Sequence, residues 1–367
     1  MNPALVVIAY NRPEALNRLL GSLDAAAYPE GGVVPLVISI DRGPSGVSPE
    51  IAAAARAFEW RFGPKQVIEQ PGHLGLVRHF RECGRLSQRF GGAVLLEDDL
   101  TVAPPFYGFA SGALSGEAGR AAYDVIVRAT SDAQRGIVDA LATAPINKEA
   151  FRLAGLPWSG HTDLLAHLTG APHVAMLFYT DALSVVLATV HIRLADVPRA
   201  LTQPSLEGTI ELTAREMPKL LALSARGATS SPRAASAGRI AVAGLNPHAG
   251  EHGLFGDEET RVIAPAIAAC RARGVDVSGP YPADTIFVRA SRGEFDVVVA
   301  CYHDQGLIPV KLLAFGEAVN VTLGLPIIRT SVDHGTAFDI AGKGVADAGS
   351  LIAAVKLAAR LVKERRR

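Results

Sequence analysis

Short apolar runs separated by polar loops set the plan of this chain. LVVIA, LVISI and AVLLE punctuate its first third, and RIAVAGL, VVVAC and VNVTLGLPII its last third. Short runs rich in β-branched residues predict buried strands. In the first third they enclose AYNRPEALNRLLGSL, a helical pattern, giving strand, helix, strand, a loop or helix, and strand again. The alternation predicts an α/β fold, in which polar residues collect where the strands end.

Residues 301–342 show that collection most densely. His303, Asp304, Lys311, Asn320, Arg329, Asp333, His334 and Asp339 stand between apolar runs, joined by Gly306, Gly324, Gly335 and Gly342. Any one of these polar residues can be a loop cap. As a set they are costly to bury unless they bind something. Two further histidines sit in comparable places, His248 in a glycine-rich turn after RIAVAGL and His191 after VVLATV. Three histidines just past strands could converge on one sheet edge and hold a divalent metal through neutral imidazole. Their spacing is long-range, so capping and surface roles stay open. His167, His173 and His252 read as surface residues.

TAPINKEAF, GHTDLLA, ATVHIRLADVP, GLNPHAGEHGLFGDEE, GPYPADTIF, YHDQGLIPVK, VNVTLGLPIIRTSVDHGTAFDIAGKG and ADAGSLI occur in this order over about residues 112–360. In this the chain closely resembles the 4-hydroxythreonine-4-phosphate dehydrogenase family of pyridoxal phosphate biosynthesis. The resemblance implies a three-layer α/β fold of the isocitrate/isopropylmalate dehydrogenase type, and a homodimer whose partners share the active site. It implies a divalent metal (Zn, Mg or Co) on His191, His248 and His303. It also implies a phosphorylated hydroxy acid held by His161, Thr162, Lys311, Asn320 and Arg329, with Asp284 and Asp304 as catalytic neighbours. One departure is GHTD where the family has GHTE, which makes Asp163 one methylene shorter. Lys148 is a candidate for proton transfer, and equally a surface lysine at a helix start. DHGTAFDIAGKG is similar to the adenine-side NAD loop of those dehydrogenases, which assigns His334 and Asp339 to cofactor binding. No GxGxxG follows the first strand, so a Rossmann-type site is not indicated. The implied reaction is NAD- and metal-dependent oxidation of 4-phosphohydroxy-L-threonine followed by decarboxylation. D-threonate or D-erythronate 4-phosphate is the alternative substrate.

Residues 1–111 tell a different story. The family's expected GDPAGIGPE-like loop after the first strand is missing. AYNRPEALNRLLGSL, SIDRG, GLVRHF and EDDLTVAPPFYGF instead resemble A-type glycosyltransferases, closest to the N-acetylglucosaminyltransferase I group. That resemblance implies a nucleotide sugar and Mn or Mg at Glu97, Asp98 and Asp99, with Asp41 near the base or ribose. Carboxylates clustered at a strand end suit a hard cation. The expectation is a chimera: a truncated transferase-like unit over 1–111, a dehydrogenase domain over 112–367, and a junction near 108–114. A working glycosyltransferase or an inactive fusion are the competing outcomes.

Composition narrows the partners. The chain's 367 residues are 49% hydrophobic, enough for one large or two ordinary α/β cores. Lys plus Arg and Asp plus Glu are both 36, so no net field points to nucleic acid or an anionic membrane. No run approaches a membrane span and no signal peptide is read. Cys83, Cys270 and Cys301 lack metal or disulfide spacing, which fits a reducing cytoplasm. SARGATSSPRAASAG, residues 224–238, reads as a surface loop.

Overall fold

The computed structural model describes residues 3–98, 100, 102, 114–223, 238–340 and 345–366. The expected junction at 108–114 and nearly all of the 224–238 loop therefore lie outside the described residues. The chain divides into two compact units, Met1–Ala118 with Ala337–Ala346, and Gly119–Thr336 with Asp347–Arg367. Among the described residues no helix is long and apolar enough to cross a membrane.

The first unit is built on a parallel sheet of β1 (Ala4–Ala9), β2 (Leu36–Ile40), β3 (Lys65–Glu69) and β4 (Ala93–Glu97), in the order β3-β2-β1-β4. Both central strands are buried along their whole length, as expected of a parallel sheet covered on both faces. Leu16, Leu19, Leu20 and Leu23 of helix Pro13–Asp24 and Ile51 of helix Pro49–Ala57 pack on one face. Trp60 joins them and satisfies its indole by donating to Val34 O at 2.8 Å. Cys83, from helix Leu76–Gly84, packs on Val6, Ile8 and Val37 of the other face. The sequence pattern did not show β3. KQVIE is a half-exposed edge strand, so it lacks the continuous apolar run that betrayed its neighbours.

The second unit carries a sheet of eight strands. They are β5 (Ala140–Thr143), β6 (Ala175–Tyr179), β7 (Ser184–Leu187), β8 (Ile240–Ala243), β9 (Val277–Tyr281), β10 (Val297–Ala300), β11 (Val319–Leu323) and β12 (Ile328–Ser331). Their order is β5-β12-β11-β6-β7-β10-β8-β9. Pairing is parallel from β7 through β9 and between β5 and β12, and antiparallel among β12, β11, β6 and β7. Alternate residues along each strand enter different cores, since side chains leave a strand on opposite faces. Leu177, Val186, Val242 and Val299 pack with helices Gln203–Leu221, Ala264–Ala272 and Gly349–Arg365. Phe178, Val185, Ala241 and Val298 pack with Ala283–Ser291 and His303–Ala314. The result is a three-layer sandwich. Gly306 lets helix His303–Ala314 lie close on β7, because a Cβ there would stand 2.6 Å from Leu187 Cδ2.

Candidate active site

The cavity that gathers the chemistry lies in the second unit and has a volume of about 580 Å³. Arg329 defines it. This side chain leaves β12 and is only 2% exposed. Its guanidinium donates to hydroxyls alone: Nη2 to Thr143 Oγ1 at 2.8 Å, Nε to the same oxygen at 3.2 Å, and Nη1 to Thr322 Oγ1 at 3.1 Å. No carboxylate pairs with it among the described residues. Burial lowers its pKa to about 10, which leaves it charged at neutral pH. A buried cation without a counter-ion is costly, so the arrangement is prepared for an anion brought by a ligand.

His161 stands at the start of helix His161–Thr169 and lines the same cavity with Thr162. Burial, then the charge of Arg329, pulls its pKa down to about 3 against the opposing pull of Asp163. The imidazole is therefore neutral over the working pH range. Asp163 caps its own helix, accepting from Gly160 N at 2.9 Å and from Ser159 Oγ at 3.0 Å. Lys311, from helix His303–Ala314, and Asn320, from β11, also face the cavity. Asn320 Oδ1 is buried without a hydrogen-bond partner among the described residues, a polar atom left for a ligand.

Lys148, His191, His303 and His334 occupy further stretches of the wall. Lys148 opens helix Lys148–Leu153, whose start is capped by Asn147 Oδ1 accepting from Ala150 N at 2.9 Å. The rings of His191 and His303 lie 5.5 Å apart. Burial, then Lys148 and His303, holds His191 below its ordinary pKa, so it too is neutral. His303 Nδ1 lies 2.7 Å from Asp304 Oδ1. Asp304 itself borders a neighbouring cavity of about 200 Å³, which shares His191 and His303 with the larger one. His334 Nδ1 donates to Gly335 O at 2.8 Å, and Asp333 Oδ1 accepts from Ser350 Oγ at 3.0 Å.

Not every expected residue lines this cavity within one chain. His248 does not join His191 and His303 within one chain. It rides on a left-handed turn beyond β8, its ring 6.0 Å from Phe255, and it does not line the cavity. Among the described residues no three His, Cys, Asp or Glu side chains form a group able to hold a metal. One chain therefore supplies two imidazoles of the implied three and does not complete the centre. Asp284 sits in the first turn of helix Ala283–Ser291 and does not line the cavity. Asp339 lies on the 3-10 turn Phe338–Ile340, within the first unit.

Of the N-terminal acids, Asp41 and Asp98 are held by protein partners. Asp41 accepts from Arg42 N, Leu74 N and Gly75 N at 2.8, 2.8 and 2.9 Å. Burial raises its pKa, but these three donors together outweigh that and leave it lowered. Asp98 is 1% exposed, pairs with Arg12 at 2.9 Å and accepts from Tyr10 N at 3.2 Å. Glu97 ends β4, and Asp99 lies outside the described residues. Sequence reasoning missed Thr143 and Thr322, which hold Arg329, and His173, read as a surface residue, which lines the cavity. Thr143 opens TAPINKEAF and Thr322 sits within VNVTLGLPII, so both were in view without a reason to single them out.

A buried cation, two lysines and neutral imidazoles around one cavity define an enzyme that handles a small anionic molecule. The family model described as pyridoxal phosphate biosynthetic protein PdxA matches residues 78–358. The 4-hydroxythreonine-4-phosphate dehydrogenase of Beijerinckia indica is 46% identical, covering 89% of this chain and 95% of that protein. The D-threonate 4-phosphate dehydrogenase of Cupriavidus necator is 43% identical, covering 90% and 98%. The crystal structure of 4-hydroxythreonine-4-phosphate dehydrogenase from Klebsiella pneumoniae aligns with a TM-score of 0.60 at 36% identity, over 99% of this chain and 98% of that one. The chain belongs to the PdxA family.

Those alignments also bear on the first third. A match over 89% of the chain is too long to fit within residues 112–367, and the family model begins at residue 78. Family likeness thus reaches into the segment expected to belong to another protein. The glycosyltransferase resemblance, and the chimera built on it, find no support in these comparisons.

Proposed function

We propose that the chain oxidises 4-phosphohydroxy-L-threonine with NAD in pyridoxal 5'-phosphate biosynthesis, decarboxylation following. The observation that carries this reading is Arg329, a buried guanidinium whose partners among the described residues are hydroxyls, beside a neutral His161. A phosphate dianion there would meet the planar fork of Arg329, the ammonium of Lys311 and the amide of Asn320. Thr162 supplies a hydroxyl, and His161, neutral, can donate one hydrogen bond without adding charge. Oxidation removes a hydride from the carbinol carbon to the nicotinamide and a proton from its hydroxyl. Lys148 is the group we assign to move that proton, since it lines the cavity together with His191 and its charge acts on that ring. The β-keto acid so formed loses carbon dioxide and takes up a proton.

A divalent ion, when bound, would lower the pKa of the substrate alcohol and polarise the ketone. Within one chain His191 and His303 would hold it, with the third ligand, His248, coming from a second copy. Exposed Ile308, Leu312 and Phe315 on and beside helix His303–Ala314 support such a homodimer. We place His334 and Asp339 at the NAD and locate the enzyme in the cytoplasm. D-threonate 4-phosphate is the second reading, favoured by the 43% identity to an enzyme of that name. Following NAD reduction with each substrate, with and without a chelator, tests both readings. Chelator-sensitive turnover of 4-phosphohydroxy-L-threonine is expected. Turnover of D-threonate 4-phosphate alone would select the second reading, and turnover of neither would refute both.

A further inference from the structure

The segments bearing His191, His303 and His248 leave three adjacent parallel strands, β7, β10 and β8. Beyond the strand ends, polar side chains add to the backbone pairing, in which Thr189 N still donates to Cys301 O at 3.2 Å. Thr189 Oγ1 donates to Cys301 O at 2.7 Å. Cys301 N donates to Gln305 Oε1 at 2.6 Å, and Gln305 Nε2 donates to Gly244 O at 2.8 Å. Gln305 thus spans from the start of the helix that carries His303 to the chain leaving β8 toward His248. It is 9% exposed and lines neither cavity that contains His303. Both ends of its amide meet buried backbone groups that would be orphaned without it.

The turn beyond Gly244 needs holding. His248 (φ 53), Ala249 (φ 53), Glu251 (φ 42) and His252 (φ 56) all adopt left-handed backbone. Non-glycine residues rarely do so in succession, and such strain persists only where the surroundings over-determine it. Glu259 supplies one anchor, accepting from Leu245 N at 2.8 Å, Asn246 N at 2.7 Å and Asn246 Nδ2 at 2.9 Å. Gly244 allows the turn to fold back, since a Cβ there would lie 2.9 Å from Ala249 Cα. Glu258, accepting from Asn246 Nδ2 at 2.7 Å, and Tyr281 O, accepting from Gly244 N at 2.7 Å, hold it further, and Gln305 ties it to the segment of a different histidine.

We propose that Gln305 is a positioning residue that locks the His248-bearing turn to the His303-bearing helix start, so that the two imidazoles keep a fixed relation. Its catalytic consequence rests on the function proposed above; the coupling itself does not. Two substitutions separate its two bonds. Q305E keeps an acceptor for Cys301 N and loses the donor to Gly244 O, whereas Q305M keeps the length and loses both.

The imidazole resonances of the full-length, metal-free chain are compared by NMR, alongside its melting temperature and the kcat and KM of the metal-loaded enzyme. The expected result for Q305E is a cooperative melt with the His248 and His303 resonances displaced and those of His161 unmoved. We also expect kcat to fall by about ten-fold while KM for the phosphorylated acid stays within about two-fold, the pattern of a group acting on the reacting centre rather than on binding. Q305M should lose more, and if it does not fold, Q305E carries the test. Displacement confined to His303, or an unchanged kcat in an active enzyme, overturns the proposal. A parent protein inactive with both phosphorylated acids, yet showing His248 and His303 moving together in Q305E, would refute the function and uphold the coupling.

Discussion

Arg329 and His161 set the chemistry at the scale of single residues, and each makes a distinct prediction. Arg329→Lys keeps the charge and loses the planar fork. Affinity for the phosphorylated substrate should fall by roughly 1–3 kcal/mol, the scale of a charge-assisted hydrogen bond. Calorimetric titration checks this, and equal affinity would remove Arg329 from the binding site. His161 predicts a pH dependence of stability. Its folded pKa of about 3 lies below the ordinary 6.5, so the unfolded chain takes up its proton first as pH falls. Its contribution is intact above pH 6.5 and is lost progressively toward pH 3. By linkage this one group should cost about 2 kcal/mol between pH 7 and pH 5. Urea unfolding of His161→Gln should show a shallower decline over that interval. An identical decline would mean that His161 is not buried in its neutral form.

At the scale of elements, helix His303–Ala314 is the part on which most of the site depends. It brings His303 and Lys311 to the cavity and is seated on β7 through Gly306. In Gly306→Ala the new methyl would meet Leu187 Cδ2 at 2.6 Å and Val185 Cγ1 at 2.9 Å. Overpacking of this kind costs roughly 1–3 kcal/mol. The variant should melt lower and lose activity, since the helix must shift along with both side chains. A parent-like melt would show that the contact is slack. This element also shows how far the sequence could be read. VVVAC betrayed β10 by unbroken apolar content and VNVTLGLPII betrayed β11 by its β-branched residues, and the motifs around them marked His303, Lys311 and Arg329. The spatial order β7-β10-β8 is not the chain order, so hydrophobic pattern alone could not say which strand-end histidines meet. Nor could it show that Thr143, 186 residues away, would be the hydroxyl partner of Arg329. Nor could it show that His248 would ride on a left-handed turn beyond β8, apart from His191 and His303 of its own chain, since that turn has no signature in residue type beyond its glycines.

At the scale of the whole molecule, the shared site and the two-unit organisation are the claims open to test. If the third imidazole comes from the partner, mixing His191→Ala and His248→Ala chains should restore activity that neither has alone. Random assortment makes half the dimers mixed, each with one intact site of two, so recovery should reach about a quarter of parental activity. No recovery would confine the site to one chain. Along the sequence the boundary between the two units falls between Ala118 and Gly119. Limited proteolysis should cut within residues 105–120 and release a stable C-terminal fragment, whereas a chain that resists cleavage there has integrated the two.

The central claim is that the cavity around Arg329 is made for a phosphate group. The most direct measurement compares kcat/KM for NAD reduction with 4-phosphohydroxy-L-threonine and with 4-hydroxythreonine, its unphosphorylated counterpart. Losing two or more charge-assisted bonds should lower kcat/KM by on the order of a hundred-fold or more. Comparable values for the two compounds would contradict the account.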